Sequence, residues 1–119
     1  MEKDYLFLRN RQNRQYAEET TLRGITASKS DNPSSCLPLY NHALEIDPLF
    51  TDAFVARGAY YANHGKYKEA LLDFKKALKI DSKHENARIY YKQTKEKLLE
   101  IEKELNEKFK KLWKENLLW

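Results

Sequence analysis

The residues of this 119-residue chain that could do chemistry are three histidines, one cysteine and eighteen carboxylates. His42, His64 and His84 stand some twenty residues apart, and Cys36 is alone. Zinc sites draw their ligands from close Cys or His pairs, and a nucleophile needs a base beside it. Neither pattern occurs, nor does a glycine-rich phosphate loop. The histidines therefore read as surface residues and Cys36 as a packing residue without a disulfide partner. The carboxylates read as solubilising charge. The expectation is a chain that is not an enzyme and holds no cofactor or metal, and whose function lies in the surfaces its scaffold presents.

That scaffold must be helical. A hydrophobic fraction of 41% with 13% aromatic residues supports a core, although 34% of the chain is charged. Only three Gly and three Pro are present, too few punctuators for the many turns of a sandwich or barrel. The length suits one domain, either a short protein or one region of a longer one. No apolar run approaches the ~20 residues that span a bilayer. The first ten residues are interrupted by Asp4 and Arg9 and lack a small-residue cleavage site, so the expected location is intracellular, cytoplasmic or nuclear.

The net charge of +4 is uneven, with 7 basic and 8 acidic residues up to position 63 and 15 and 10 after it. Lys92 with Glu96, Glu104 with Lys108 and Lys111 with Glu115 are opposite charges four apart, the pattern of a solvated helix face. None of the zinc-finger, RRM or KH signatures accompanies the charge.

The chain matches itself at an offset of 34 residues. Arg23-Gly24 recurs as Arg57-Gly58, Cys36-Leu37 as Ala70-Leu71, Tyr40 as Phe74, Ala43-Leu44 as Ala77-Leu78, and Ile46-Asp47 as Ile80-Asp81. Each unit reads as two helices. In the second, Phe54, Gly58 and Tyr61 lie on the first helix, a turn falls near His64-Gly65-Lys66, and Tyr67, Ala70, Leu71, Phe74, Ala77 and Leu78 stripe the second. Glycine inside a helix costs ~1 kcal/mol against alanine, so two glycines 34 apart imply close packing. Asp47-Pro48 ends the earlier unit. Between its helices, Ser34 or Ser35 is the expected N-cap, which leaves Pro38 in the first turn.

Phe54, Gly58, Tyr61, Ala70, Phe74 and Ala77, with Pro48 closing the preceding unit, resemble the tetratricopeptide repeat. The resemblance implies an all-α chain of two helical hairpins: an N-terminal helix or cap at 1–16, repeats at 17–50 and 51–84, and an extended capping helix at 85–119. Four places depart from the family pattern: Arg57 where an aliphatic residue is usual, Ser82 for the closing proline, and Thr20 and Ala27 where large residues are common. The implied function is a non-enzymatic protein-interaction module, an adaptor or scaffold. On the family pattern its peptide groove is lined by Thr21, Ile25 and Ser28 from the first repeat and Asp52, Val55, Ala59, Ala62 and Asn63 from the second. Asn86, Ile89, Tyr90 and Gln93 complete it from the closing helix. The carboxylate clamp by which some members grip chaperone tails is disfavoured, because Thr21, Ile25, Ala56 and Tyr90 stand at four of its five places and only Asn86 keeps the required type.

The flanks offer alternatives. Tyr5, Leu8 and Tyr16 interleave with Arg9, Arg11 and Arg14, a pattern an RNA-associated factor could use, together with the C-terminal lysines, for stacking and phosphate contacts; the preferred reading is a cap that buries Tyr5 and Leu8. From Lys83 onward one helix of ~30 residues is expected, with Ala87, Tyr90 and Tyr91 turned inward. Tyr91, Leu98, Leu105, Leu112 and Trp119 recur every seven residues, widened by Ile101, Phe109 and Trp113. Lys108 and Glu115 occupy the alternate core positions, against a long two-stranded zipper. The stretch Leu98, Ile101, Leu105, Phe109, Leu112 and Trp113 reads as a surface for self-association or helix docking, with a homo-oligomer as one outcome. The basic, aromatic segment from Lys108 to Trp119 could instead meet an anionic membrane surface.

Overall fold

A computed structural model describes residues 2–116. In chain order these form α1 (Glu2–Ser28), a 3-10 turn (Pro33–Ser35), α2 (Cys36–Ile46), α3 (Thr51–Asn63), α4 (Tyr67–Ile80) and α5 (Glu85–Glu115). Among the described residues there is no strand. α1 packs with α2, α3 with α4, and α5 covers α4, so two helical hairpins are stacked and closed by a fifth helix.

The 34-residue offset reappears in the backbone. Asp47 and Asp81 end α2 and α4 in the same extended conformation, φ −137° with ψ 93° and φ −135° with ψ 93°. Each donates its N–H to the carbonyl four residues back and accepts from the N–H two residues on, Leu49 or Lys83. Asp47-Pro48 and Asp81-Ser82 therefore make the same stop, and the missing proline at Ser82 changes little because the Asp supplies the turn. Between α3 and α4, Gly65 takes φ +76°, the left-handed conformation that lets Lys66 N–H reach the Tyr61 carbonyl at 2.8 Å.

The core follows the small-residue logic. Phe54, Val55, Ala70, Phe74, Ala77 and Ala87 form one buried cluster, with Tyr61, Leu78 and Tyr91 partly buried around it. A Cβ built on Gly58 would lie 2.6 Å from Phe74 Cε1, and one on Gly24 would lie 2.5 Å from Tyr40 Cε1. The same ring-on-glycine contact thus sits inside both hairpins. Cys36 is fully buried at the place matched by Ala70.

The three residues expected to turn inward on α5 do so to different depths: Ala87 is buried, Tyr91 is partly buried, and Tyr90, 37% exposed, sets its ring 6.0 Å from that of Phe74. Three expectations need correction. Ser35 precedes α2, but its hydroxyl donates to the Asn32 carbonyl and forms no side-chain cap. The N-terminal segment is no cap: α1 runs on past its hairpin and leaves Tyr5 66% and Leu8 56% exposed. His84 is not a chance surface residue. Its Nδ1 accepts from Ala87 N–H at 3.1 Å and so caps α5, while Nε2 lies 2.8 Å from Asp52 Oδ1.

α1 and α5, 27 and 31 residues long, reach about 40 and 46 Å at 1.5 Å per residue. They do not touch each other. α1 overhangs the stack at its N-terminal end and α5 at its C-terminal end, which accounts for a longest dimension of 77 Å against 33 and 24 Å.

Candidate functional site

The first helix of each hairpin and the start of α5 line one concave face. A groove of about 710 Å³ runs across it. Of the residues expected there, Thr21, Ile25, Ser28, Asp52, Val55, Ala59, Asn63, Asn86 and Tyr90 line it. Ala62 and Gln93 line a smaller adjoining cavity of about 240 Å³, shared with Ala59, Asn63 and Tyr90. Ile89 lines neither and is exposed.

The floor is chemically quiet. Thr21 is buried and spends its hydroxyl on the Ala17 carbonyl at 2.7 Å, Ser28 donates to the Ile25 carbonyl at 2.6 Å, and Val55 is buried. A ligand would therefore meet methyl groups and aromatic edges more than free hydrogen-bonding groups. Charge stands among the lining residues as Glu18, Lys29 and Asp52. The Asp52–His84 contact ties α3 to the start of α5 at the groove's edge and fixes the imidazole: Nδ1 accepts a backbone N–H, so Nε2 carries the proton it donates to Asp52.

Sequence reasoning missed Glu18, Leu22, Lys29, Tyr40, Phe50, Ala56, Tyr60 and His84 in this lining. Leu22 and Tyr60 were legible as neighbours of Ile25 and Ala59, one turn or less along the same helices. Tyr40 and Phe50 reach the groove from α2 and the loop before α3, which a pattern confined to first helices does not find.

Two charges flagged at the sequence level are committed internally. Arg14 pairs with Asp47 and lies over the Phe50 ring, 5.4 Å from its centroid. Arg57, the departure from the aliphatic pattern, donates to Asp73 from Nε at 2.8 Å and Nη2 at 2.7 Å and to Asn41 Oδ1 from Nη1 at 2.8 Å. The Asp73 hydrogen bond holds the guanidinium above its ordinary value, against an opposing burial effect. This network joins α2, α3 and α4. Cys36 and Tyr40 are both pushed up, chiefly by burial, so both stay neutral inside the first hairpin. No group of three or more His, Cys, Asp or Glu among the described residues could hold a metal ion.

A second surface lies on the α5 overhang. Leu98 and Ile101 are partly buried, whereas Leu105, Phe109, Leu112 and Trp113 are exposed. Trp119 lies outside the described residues. No helix among the described residues is long and apolar enough to cross a membrane.

The model of the family described as Tetratricopeptide repeat matches residues 51–84, which is the second hairpin with its closing turn. Tetratricopeptide repeat protein 14 of Mus musculus is 39% identical over 87 residues, 73% of this chain and 11% of its own length. UDP-N-acetylglucosamine–peptide N-acetylglucosaminyltransferase of Giardia intestinalis is 30% identical over 73 residues, 61% of this chain and 5% of its own. The chain thus spans about a tenth or less of the length of these curated relatives. No solved structure matches it.

Proposed function

With residues 51–84 matching the tetratricopeptide repeat and the described residues forming two stacked helical hairpins closed by a fifth helix, we propose that the chain is a non-enzymatic adaptor whose concave groove receives a short apolar peptide or helix. Stacked helix pairs curve and present their first helices on the inner side. The observation that carries the reading is the groove of about 710 Å³ whose floor of Thr21, Ile25, Val55 and Ala59 offers aliphatic surface, the Thr21 hydroxyl being already bonded to the Ala17 carbonyl. Its volume is that of a ligand site, and its lining suits the apolar anchors of an amphipathic segment. Glu18, Lys29 and Asp52 would orient such a segment without holding it by charge.

Peptide-library panning tests this. Selected peptides carry apolar anchors at helical or alternating spacing, bind with little dependence on salt, and are lost on Ala59→Trp, which fills the groove where its two cavities meet. Selection of charged peptides whose binding falls steeply with salt would contradict the reading.

A further inference from the structure

We propose that two copies of this chain associate through the α5 overhang, antiparallel, about a two-fold axis at Leu105. This surface is separate from the groove, so the proposal stands or falls independently of peptide binding. The apolar residues Leu98, Ile101, Leu105, Phe109 and Leu112 are spaced three, four, four and three apart, a pattern that reads the same in both directions from Leu105. At 100° per residue all five lie within about 40° of the Leu105 direction, a single narrow stripe. Two such stripes packed antiparallel set Leu105 against Leu105, Ile101 beside Phe109 and Leu98 beside Leu112. An isologous contact of this kind closes on itself and leaves no stripe uncovered.

Charge decides the orientation. Glu100, Glu102, Glu104 and Glu107 make the segment before Lys108 acidic, offset by Lys103, and Lys108, Lys110, Lys111 and Lys114 make the segment after it basic. Antiparallel pairing lays acidic on basic twice over. Parallel pairing lays like on like. On one flank of the stripe, antiparallel packing sets Glu104 against Lys108 of the second copy and Lys97 against Glu115. The stripe is open beyond its first turn: Leu98 and Ile101 are partly buried, Leu105 is 60%, Phe109 70% and Leu112 55% exposed, and α5 makes no contact with α1. The shared length, residues 97–113, is about 25 Å, a small interface that forms at micromolar concentration.

The test is sedimentation equilibrium of the full chain from about 1 to about 100 μM, with spin labels at Lys95→Cys in a Cys36→Ala background. The expected result is a dimer of twice 14.2 kDa. Leu105→Glu makes it monomeric without lowering helicity. Lys108→Glu weakens it about tenfold, and adding Glu104→Lys restores it. The labels lie about 30 Å apart in the antiparallel pair. A wild type that stays monomeric overturns the proposal, including one that instead co-sediments with anionic vesicles. So does a dimer indifferent to Leu105→Glu, or one whose labels at position 95 are adjacent, as parallel helices require.

Discussion

The guanidinium of Arg57 and the carboxylate of Asp73 face each other through two parallel hydrogen bonds, 2.8 and 2.7 Å long, between α3 and α4. The Asp73 side chain is only 6% exposed, so its charge depends on that partner. Arg57→Leu leaves a buried carboxylate unpaired and is expected to cost about 3 kcal/mol. Arg57→Leu with Asp73→Leu recovers most of it, because the family's usual aliphatic residue at this place needs no counter-ion. Urea denaturation of the single and double variants checks both.

Gly58 is under a different constraint. Glycine to alanine inside a helix normally gains about 1 kcal/mol, but here the new methyl would meet the fully buried Phe74 ring at 2.6 Å. Overpacking of this kind costs about 1–3 kcal/mol, so Gly58→Ala is expected to melt several degrees lower, and Gly58→Leu lower still. Phe74→Leu in the Gly58→Ala background should return part of the loss. A Gly58→Ala variant that melts higher than the parent would contradict the contact.

His84→Ala removes both the cap on Ala87 N–H and the tie to Asp52, a loss of about 1 kcal/mol. His84→Asn keeps the cap and loses less. Amide exchange at the start of α5 separates the two variants from the parent.

Cys36 and Tyr40 supply the pH dependence. Burial raises both, so each holds its proton in the folded chain to a higher pH than in the unfolded one. The stability this gives is fully present below the unfolded cysteine's pKa of about 8.5. It is lost as pH rises through the folded values, because the unfolded chain releases its protons first. Melting temperature is therefore expected to fall above about pH 8.5, and less steeply for Cys36→Ala. The folded thiol should resist alkylation at neutral pH.

The parts of this structure that the sequence made legible are those with a period. Gly24 and Gly58, Tyr40 and Phe74, and Asp47 and Asp81 each do one job twice, and the repetition exposes the job. Arg57 was visible both as the repeat of Arg23 and as a departure from the family pattern; its partner Asp73 sits where the first repeat has Leu39, so the pair has no counterpart in the first repeat and the period does not expose it. His84 was hidden because capping depends on where α5 begins, within a residue. The overhang of α1 was unreadable for a physical reason: Tyr5, Leu6, Phe7 and Leu8 are consecutive, so they point all round the helix and define no face that would dock. The groove was located by its first helices, and the contributions of Tyr40 and Phe50 required the packing itself.

The central claim, that the concave face is the binding surface, is tested most directly by methyl NMR of the full chain titrated with a panned peptide. The account predicts shifts at Ile25, Val55 and Ala59, of which those at Ile25 and Val55 are abolished by Ala59→Trp. Shifts confined to Leu105 and Leu112, with the groove methyls unmoved, would contradict it.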